Sequence, residues 1–392
     1  MLSFFQRKNS PNLRRPNSLF LKSEERKARL RRIPKILLLL TLMASLGAFK
    51  HIPQGATEEM LNQALAGQTL IFNRQYQAAE AHFDRLARQY PDSPLGSFGL
   101  MALYNSKMFE NFDFSLDATF EQEQRRNKVI VDKIADSKTS SAWDNFLCGA
   151  SSGLRGFYYI RKDEYFKALS ESNQAKKCLE RALQLDPAFV DVNLGLGLFN
   201  YWKSVFTSRF KFLPFFKDRR KEGIAQIQQA IAEGSVVNDL ATAALVFVYH
   251  EQSNGRLGLP LAQKLLDKYP QNIVMKNLKG NFLSLTGKQA EAIEVLNGVL
   301  KEDPSINVAR YFRGLAYNRA GNYAAAKQSF EEFLANKPSA AWQAYAHYML
   351  GHIALRNGQR EEAFSQFKAG EKAYGKYNAN LKMILKMRKG EI

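Results

Sequence analysis

Four kinds of position in this chain recur at one interval. Gly280 and Gly314, Ala292 and Ala326, Leu296 and Phe330, and Pro304 and Pro338 are each 34 residues apart. Within a unit the order is a small residue, Ala twelve later, an apolar residue four after that and Pro eight further on, and Gly67, Ala79, Phe83 and Pro91 follow the same order. A period of this length constrains the fold more tightly than any bulk property of the chain. Each unit is one supersecondary element that cannot bury its apolar face alone, so neighbours must stack and the chain grows as a nearly one-dimensional array. The spacing has a physical reading at each step. Small residues let two helices of a unit approach, the apolar residue in the middle of the second helix fills the gap to the next unit, and Pro ends that helix because it cannot continue it.

The pattern resembles the tetratricopeptide repeat (TPR) family, whose unit is a helix-turn-helix of 34 residues. Clear units run 60–93, 273–306, 307–340 and, after three extra residues, 344–377 with Gly351, Ala363 and Phe367. Tyr76 and Tyr323, nine residues after their Gly, also fit. Between these units the spacing weakens: Ala175, Leu179, Ala182 and Pro187 give one second helix, Gly223, Ile227 and Ala230 another, Leu265 and Pro270 a third. The resemblance implies an all-α chain of helical-hairpin repeats forming a right-handed superhelical solenoid, with a degenerate region over 57–237 and a regular array over 238–392. GLGLFNYWKSVF, the stretch ending FKDRRKEGI and NDLATAALVFVY are similar in order to Iml-type TPR proteins, and no function is carried across from that likeness.

Charge divides unevenly. The formal charge is +19, and residues 1–50 hold 12 basic and 2 acidic residues. Arg31, Arg32 and Lys35 lead into the uncharged run ILLLLTLMASLGAF at 36–49. A basic leader ahead of an apolar run reads as a membrane-directing segment with the leader on the cytoplasmic side. The run is short for a span, which wants about 20 apolar residues. The expectation is a basic, disordered tail over 1–32 and a transmembrane anchor or signal segment over 33–50. That would make this a membrane protein with a single N-terminal anchor and the array on the periplasmic or extracytoplasmic side.

Repeat arrays bind through residues of the first helix that packing does not use. By phase these are Asn277 and Asn281; then Tyr311, Leu315, Asn318 and Arg319; then Tyr345, Tyr348, His352 and Arg356. Tyr and Arg give large contact area with polar tips, and Asn pairs with an extended backbone, so the set suits a groove for a protein partner. Chaperone-binding members of the family grip a terminal carboxylate with basic residues on the third repeat. Val308, Phe312 and Tyr345 leave that part missing here, which disfavours a co-chaperone role.

The stretch 202–221 carries Trp202, Phe206, Phe210, Phe212, Phe215 and Phe216 among basic residues. It suits contact with an anionic membrane or an apolar cargo, and equally a long loop folded back on the array. Cys148 and Cys178 fall at similar heights on two arms turning near Lys162 and Asp163, where a disulfide or two buried thiols both fit. No phosphate loop, H-E-x-x-H, G-x-S-x-G or C-x-x-C motif occurs. The expectation is therefore a non-enzymatic, anchored or exported scaffold that binds a protein partner and supports an envelope complex, with no cofactor, metal or nucleic acid. The alternative is a lipid-associated or apolar-cargo transport component using 202–221.

Overall fold

A computed structural model describes residues 49–207 and 217–392. Seventeen α-helices and no strand occur among the described residues. They are α1 (Glu58–Phe72), α2 (Tyr76–Gln89), α3 (Leu95–Asn111), α4 (Asp117–Asp136), α5 (Ala142–Arg161), α6 (Tyr165–Leu185), α7 (Val192–Thr207), α8 (Arg220–Glu233) and α9 (Asn238–Glu251). There follow α10 (Gly255–Lys268), α11 (Ile273–Leu285), α12 (Gln289–Glu302), α13 (Asn307–Arg319), α14 (Tyr323–Ala335), α15 (Ala340–Arg356), α16 (Arg360–Ala373) and α17 (Asn378–Arg388). Consecutive helices pair into eight hairpins, and α17 closes the stack against α16. The result is an all-helical repeat solenoid of tetratricopeptide type.

The repeat spacing has the structural cause expected of it. A Cβ added to Gly67 would lie 2.2 Å from the Phe83 ring, and one added to Gly314 2.8 Å from the Phe330 ring. Each second-helix aromatic thus occupies the space that glycine leaves on the first helix. Ala79, Ala292, Ala326 and Ala363 are fully buried one turn earlier. Helix starts are closed locally: the side chains of Thr57, Asn254, Asn272 and Asn322 accept from backbone N–H groups, and Ser141 with Asp144 makes a reciprocal capping box at α5.

The four long helices α3 to α6 are held by a polar core. Arg155, 1% exposed, donates from Nε to Glu171 Oε2 at 2.9 Å, from Nη1 to Asn127 Oδ1 at 2.6 Å and from Nη2 to Ser152 Oγ at 2.9 Å. Asn127 in turn donates to Ser97 and Ser151. Cys148 and Cys178 are joined by a disulfide, their Cα atoms 5.9 Å apart, beside Val131 and Ile134.

The anchored, extracytoplasmic placement expected from the sequence is corrected here. Among the described residues no helix is long and apolar enough to cross a membrane. Residues 1–48, which hold the basic tail and nearly all of the 33–50 segment, lie outside the described residues. The apolar run is shorter than a span requires, and no described helix takes up that role.

Candidate interaction surface

First helices of neighbouring hairpins touch one another: α9 with α11, α11 with α13, α1 with α3 and α3 with α5. The stack therefore curves with the first helices inside, and the residues picked by phase lie on this inner layer. They do not form one open groove, because α3 packs against α11 and α13 and covers part of the face.

Asn277 and Asn281 are 1% and 5% exposed on α11. Both polar atoms of the Asn277 side chain, and Oδ1 of Asn281, are buried without a hydrogen-bond partner. Such atoms carry a desolvation cost of about 1–3 kcal/mol each. Tyr311 is buried on α13, its ring 4.9 Å from Trp342 and 5.5 Å from Phe330, and burial pushes its phenol well above the ordinary range. Leu315 and Asn318 are half-buried, and the exposed Arg319 donates to Ser284 Oγ at 2.8 Å.

Further along, the face stays accessible. Tyr345 stands edge-on to Tyr377 at 4.6 Å, and Tyr348 edge-on to His352 at 4.5 Å. His352 is half-buried, with Nε2 buried and unpartnered. Burial, with the nearby Arg356 charge, holds its imidazole below the ordinary histidine value. Arg356 is exposed and donates to the Tyr323 hydroxyl at 3.0 Å. Aromatic groups with polar tips, presented along α15, make a surface suited to holding a protein segment.

Sequence phase did not find what covers the other half. Arg74 donates to Glu110 at 2.6 and 2.9 Å and to Asp303 Oδ2 at 2.7 Å, joining the α1–α2 turn to the start of the 303–306 turn. Asn111 donates to Ser305 O at 3.1 Å, and its Oδ1 accepts from Val308 N at 3.4 Å. Phe109 meets Phe247 at 5.4 Å, and Phe112 meets Trp342 at 5.3 Å. At the α5–α6 turn, Asp163 accepts from Tyr374 at 2.6 Å and pairs with Lys376 at 3.0 Å.

Although burial opposes it, hydrogen bonds from Ser305 and Arg74 hold the Asp303 carboxyl below its ordinary value, and those from Tyr374, Tyr165 and Lys376 do the same for Asp163. A carboxyl depressed in the folded state stabilises it above the ordinary carboxylate range, and that stability is lost as pH falls through the folded value. Unfolding free energy is therefore expected to drop below about pH 4. Measured against pH, the drop should shrink in Asp303→Asn; an unchanged acid limb would refute the assignment.

Of the aromatic stretch, Trp202 is half-buried and 6.1 Å from the Phe206 ring, and Phe206 is 43% exposed. Phe210, Phe212, Phe215 and Phe216 lie outside the described residues. Burial pushes the His250 imidazole down to about 4, so at neutral pH it is an uncharged ring between Phe282 and Phe312. Among the described residues no group of three or more His, Cys, Asp or Glu is placed to hold a metal ion.

Residues 164–390 match the family model described as Iml2/Tetratricopeptide repeat protein 39, and residues 63–93 match a tetratricopeptide repeat model. No curated protein matches the chain. Among solved structures, a tetratricopeptide repeat protein from Parabacteroides merdae is 15% identical, with 72% of this chain and 97% of that one covered and a TM-score of 0.47. PilW, a type IV pilus biogenesis factor, is 18% identical, with 60% and 98% covered and a TM-score of 0.42. The human IFIT1 dimer with m7Gppp-AAAA is 16% identical, with 79% and 72% covered and a TM-score of 0.44.

Proposed function

Because the chain belongs to the Iml2/Tetratricopeptide repeat protein 39 family, we propose that it is a non-enzymatic scaffold that holds a protein partner on the inner face of its C-terminal repeats. The observation that carries the reading is the accessible strip of Asn318, Arg319, Tyr345, Tyr348, His352 and Arg356 on α13 and α15. Tyr and Arg are the residues in which binding energy concentrates, and here their backbones are fixed by a packed core beneath. Asn277, Asn281 and Tyr311 are buried on α11 and α13 and are left out of this strip.

A photo-reactive amino acid placed at Tyr348 in the full chain, expressed in cells, tests this. Discrete protein adducts are expected there, at least tenfold more abundant than from the same label at Gln328, which is exposed on a second helix. Arg356→Glu should reduce the yield at position 348 by about tenfold, the effect of about 1.4 kcal/mol at a binding hot spot. Equal adducts at both positions, or no response to Arg356→Glu, would sink the reading.

A further inference from the structure

Three residues in left-handed backbone carry the contacts between the N-terminal hairpins and the C-terminal repeats. Arg74, Phe112 and Asp163 have φ of 58°, 51° and 60°. In the regular repeats the turn position seven residues after the small residue is Gly287, Gly321 or Gly358, all with positive φ and open space around them. Arg74 and Asp163 hold that same place after Gly67 and Gly156. A side chain is disfavoured there, and glycine would serve the turn better. What each gains is a reach across the array, Arg74 to Asp303 and Asp163 to Tyr374 and Lys376.

Between those two points a short segment is seated on the inner face. Phe109 lies on Phe247, Glu110 is gripped by Arg74 and Tyr76, Asn111 pairs with backbone on both Ser305 and Val308, and Phe112 lies on Trp342. Aromatic anchors seated in packed pockets are the residues in which binding energy concentrates, and here they stand at both ends of an amide satisfied by main chain.

We propose that Arg74, Phe112 and Asp163 form an intramolecular clasp that keeps residues 109–113 seated on the inner face, and that the opened face takes a partner segment of the same chemistry. That chemistry is two phenylalanines flanking an acid and an amide. The proposal rests on reading the inner face as the partner site, and it adds what gates that site. The ion pairs are partly solvated, with side chains 22% and 26% exposed at Arg74 and Asp303 and 60% and 21% at Lys376 and Asp163, so they are weak enough to open.

The test uses the full chain with Arg74→Gly, Phe112→Gly and Asp163→Gly together. All three positions have positive φ, so glycine preserves the turns while removing the clasp. Small-angle scattering should show a larger radius of gyration, and amide exchange in α11 and α13 should speed up at least tenfold. A fluorescent peptide of residues 107–115 should bind this variant at least tenfold more tightly than the unaltered chain. A second variant, Asp303→Asn with Lys376→Ala, leaves the N-terminal hairpins intact and should expand in the same direction by less. Unchanged scattering and exchange in both variants overturns the clasp. Peptide binding that is equal for variant and unaltered chain, or absent from both, overturns the gating. Adduct formation at position 348 is read separately: its failure with the clasp results intact would count against the scaffold reading alone.

Discussion

Replacing Arg155 by Ala is expected to lower the unfolding free energy by about 3–5 kcal/mol. The guanidinium is the hub of four helices, reaching Glu171 on α6, Asn127 on α4 and Ser152 on its own α5, with Ser97 of α3 joined through Asn127. Removing it leaves the Glu171 carboxylate in a nearly closed site without a cation and Asn127 Oδ1 without a donor. Removing both ends tells the two costs apart. Arg155→Met with Glu171→Leu should cost less than Arg155→Ala, since paired charges in an interior stabilise little over apolar groups of similar size, whereas one abandoned charge costs its full desolvation. Urea unfolding with amide exchange in α4 to α6 as the local probe measures both. A loss below about 1 kcal/mol for the single change would mean that water reaches Glu171 and that the site is not the closed core its burial indicates.

The parts of this molecule that were legible in its sequence are those with a repeated physical cause. Gly314 and Phe330 form one contact that recurs as Gly67 with Phe83 and Gly351 with Phe367, so the period shows before any helix is drawn. The long helices α3 to α6 carry it only faintly: the Ala175, Leu179, Ala182 and Pro187 spacing survives along α6 and just past its end, and a Cβ on Gly149 would lie 2.5 Å from Leu179, while the polar residues Arg155, Asn127 and Glu171 are buried among them. Phase alone assigned Tyr311, Tyr345 and Tyr348 to first helices. It could not say which of them remain accessible, because the cover comes from contacts such as Arg74 with Asp303 and Asp163 with Tyr374. Pairings so distant along the chain leave no periodic trace. One signal was available: Arg and Asp at a turn position where the regular repeats place Gly is a local inconsistency, and such inconsistencies gather where a residue serves a distant contact. The short apolar run at 36–49 drew a membrane placement from length and charge alone, and the described helices give that placement no support.

Phe330→Ala is the second large effect, an expected loss of about 3–5 kcal/mol. The ring is fully buried, fills the space above Gly314 and lies 5.5 Å from the Tyr311 ring, so truncation opens a cavity that the neighbouring helices cannot close without moving α13. In a stacked array each hairpin is held by its neighbours, so the loss should spread to α15 through Tyr311 and Trp342 and reach the partner strip. Adduct yield at position 348 is then expected to fall along with stability, although Phe330 lies on α14, outside that strip. Phe166→Ser is the comparison: that ring is 91% exposed at the start of α6, and its removal should change stability by no more than about 0.5 kcal/mol. The two substitutions act on the same residue type in opposite surroundings. Similar losses from both would show that the burial pattern of the array is wrong, whereas a large loss from Phe330→Ala with an unchanged yield at 348 would show that the strip is organised locally by α15 and not by the stack.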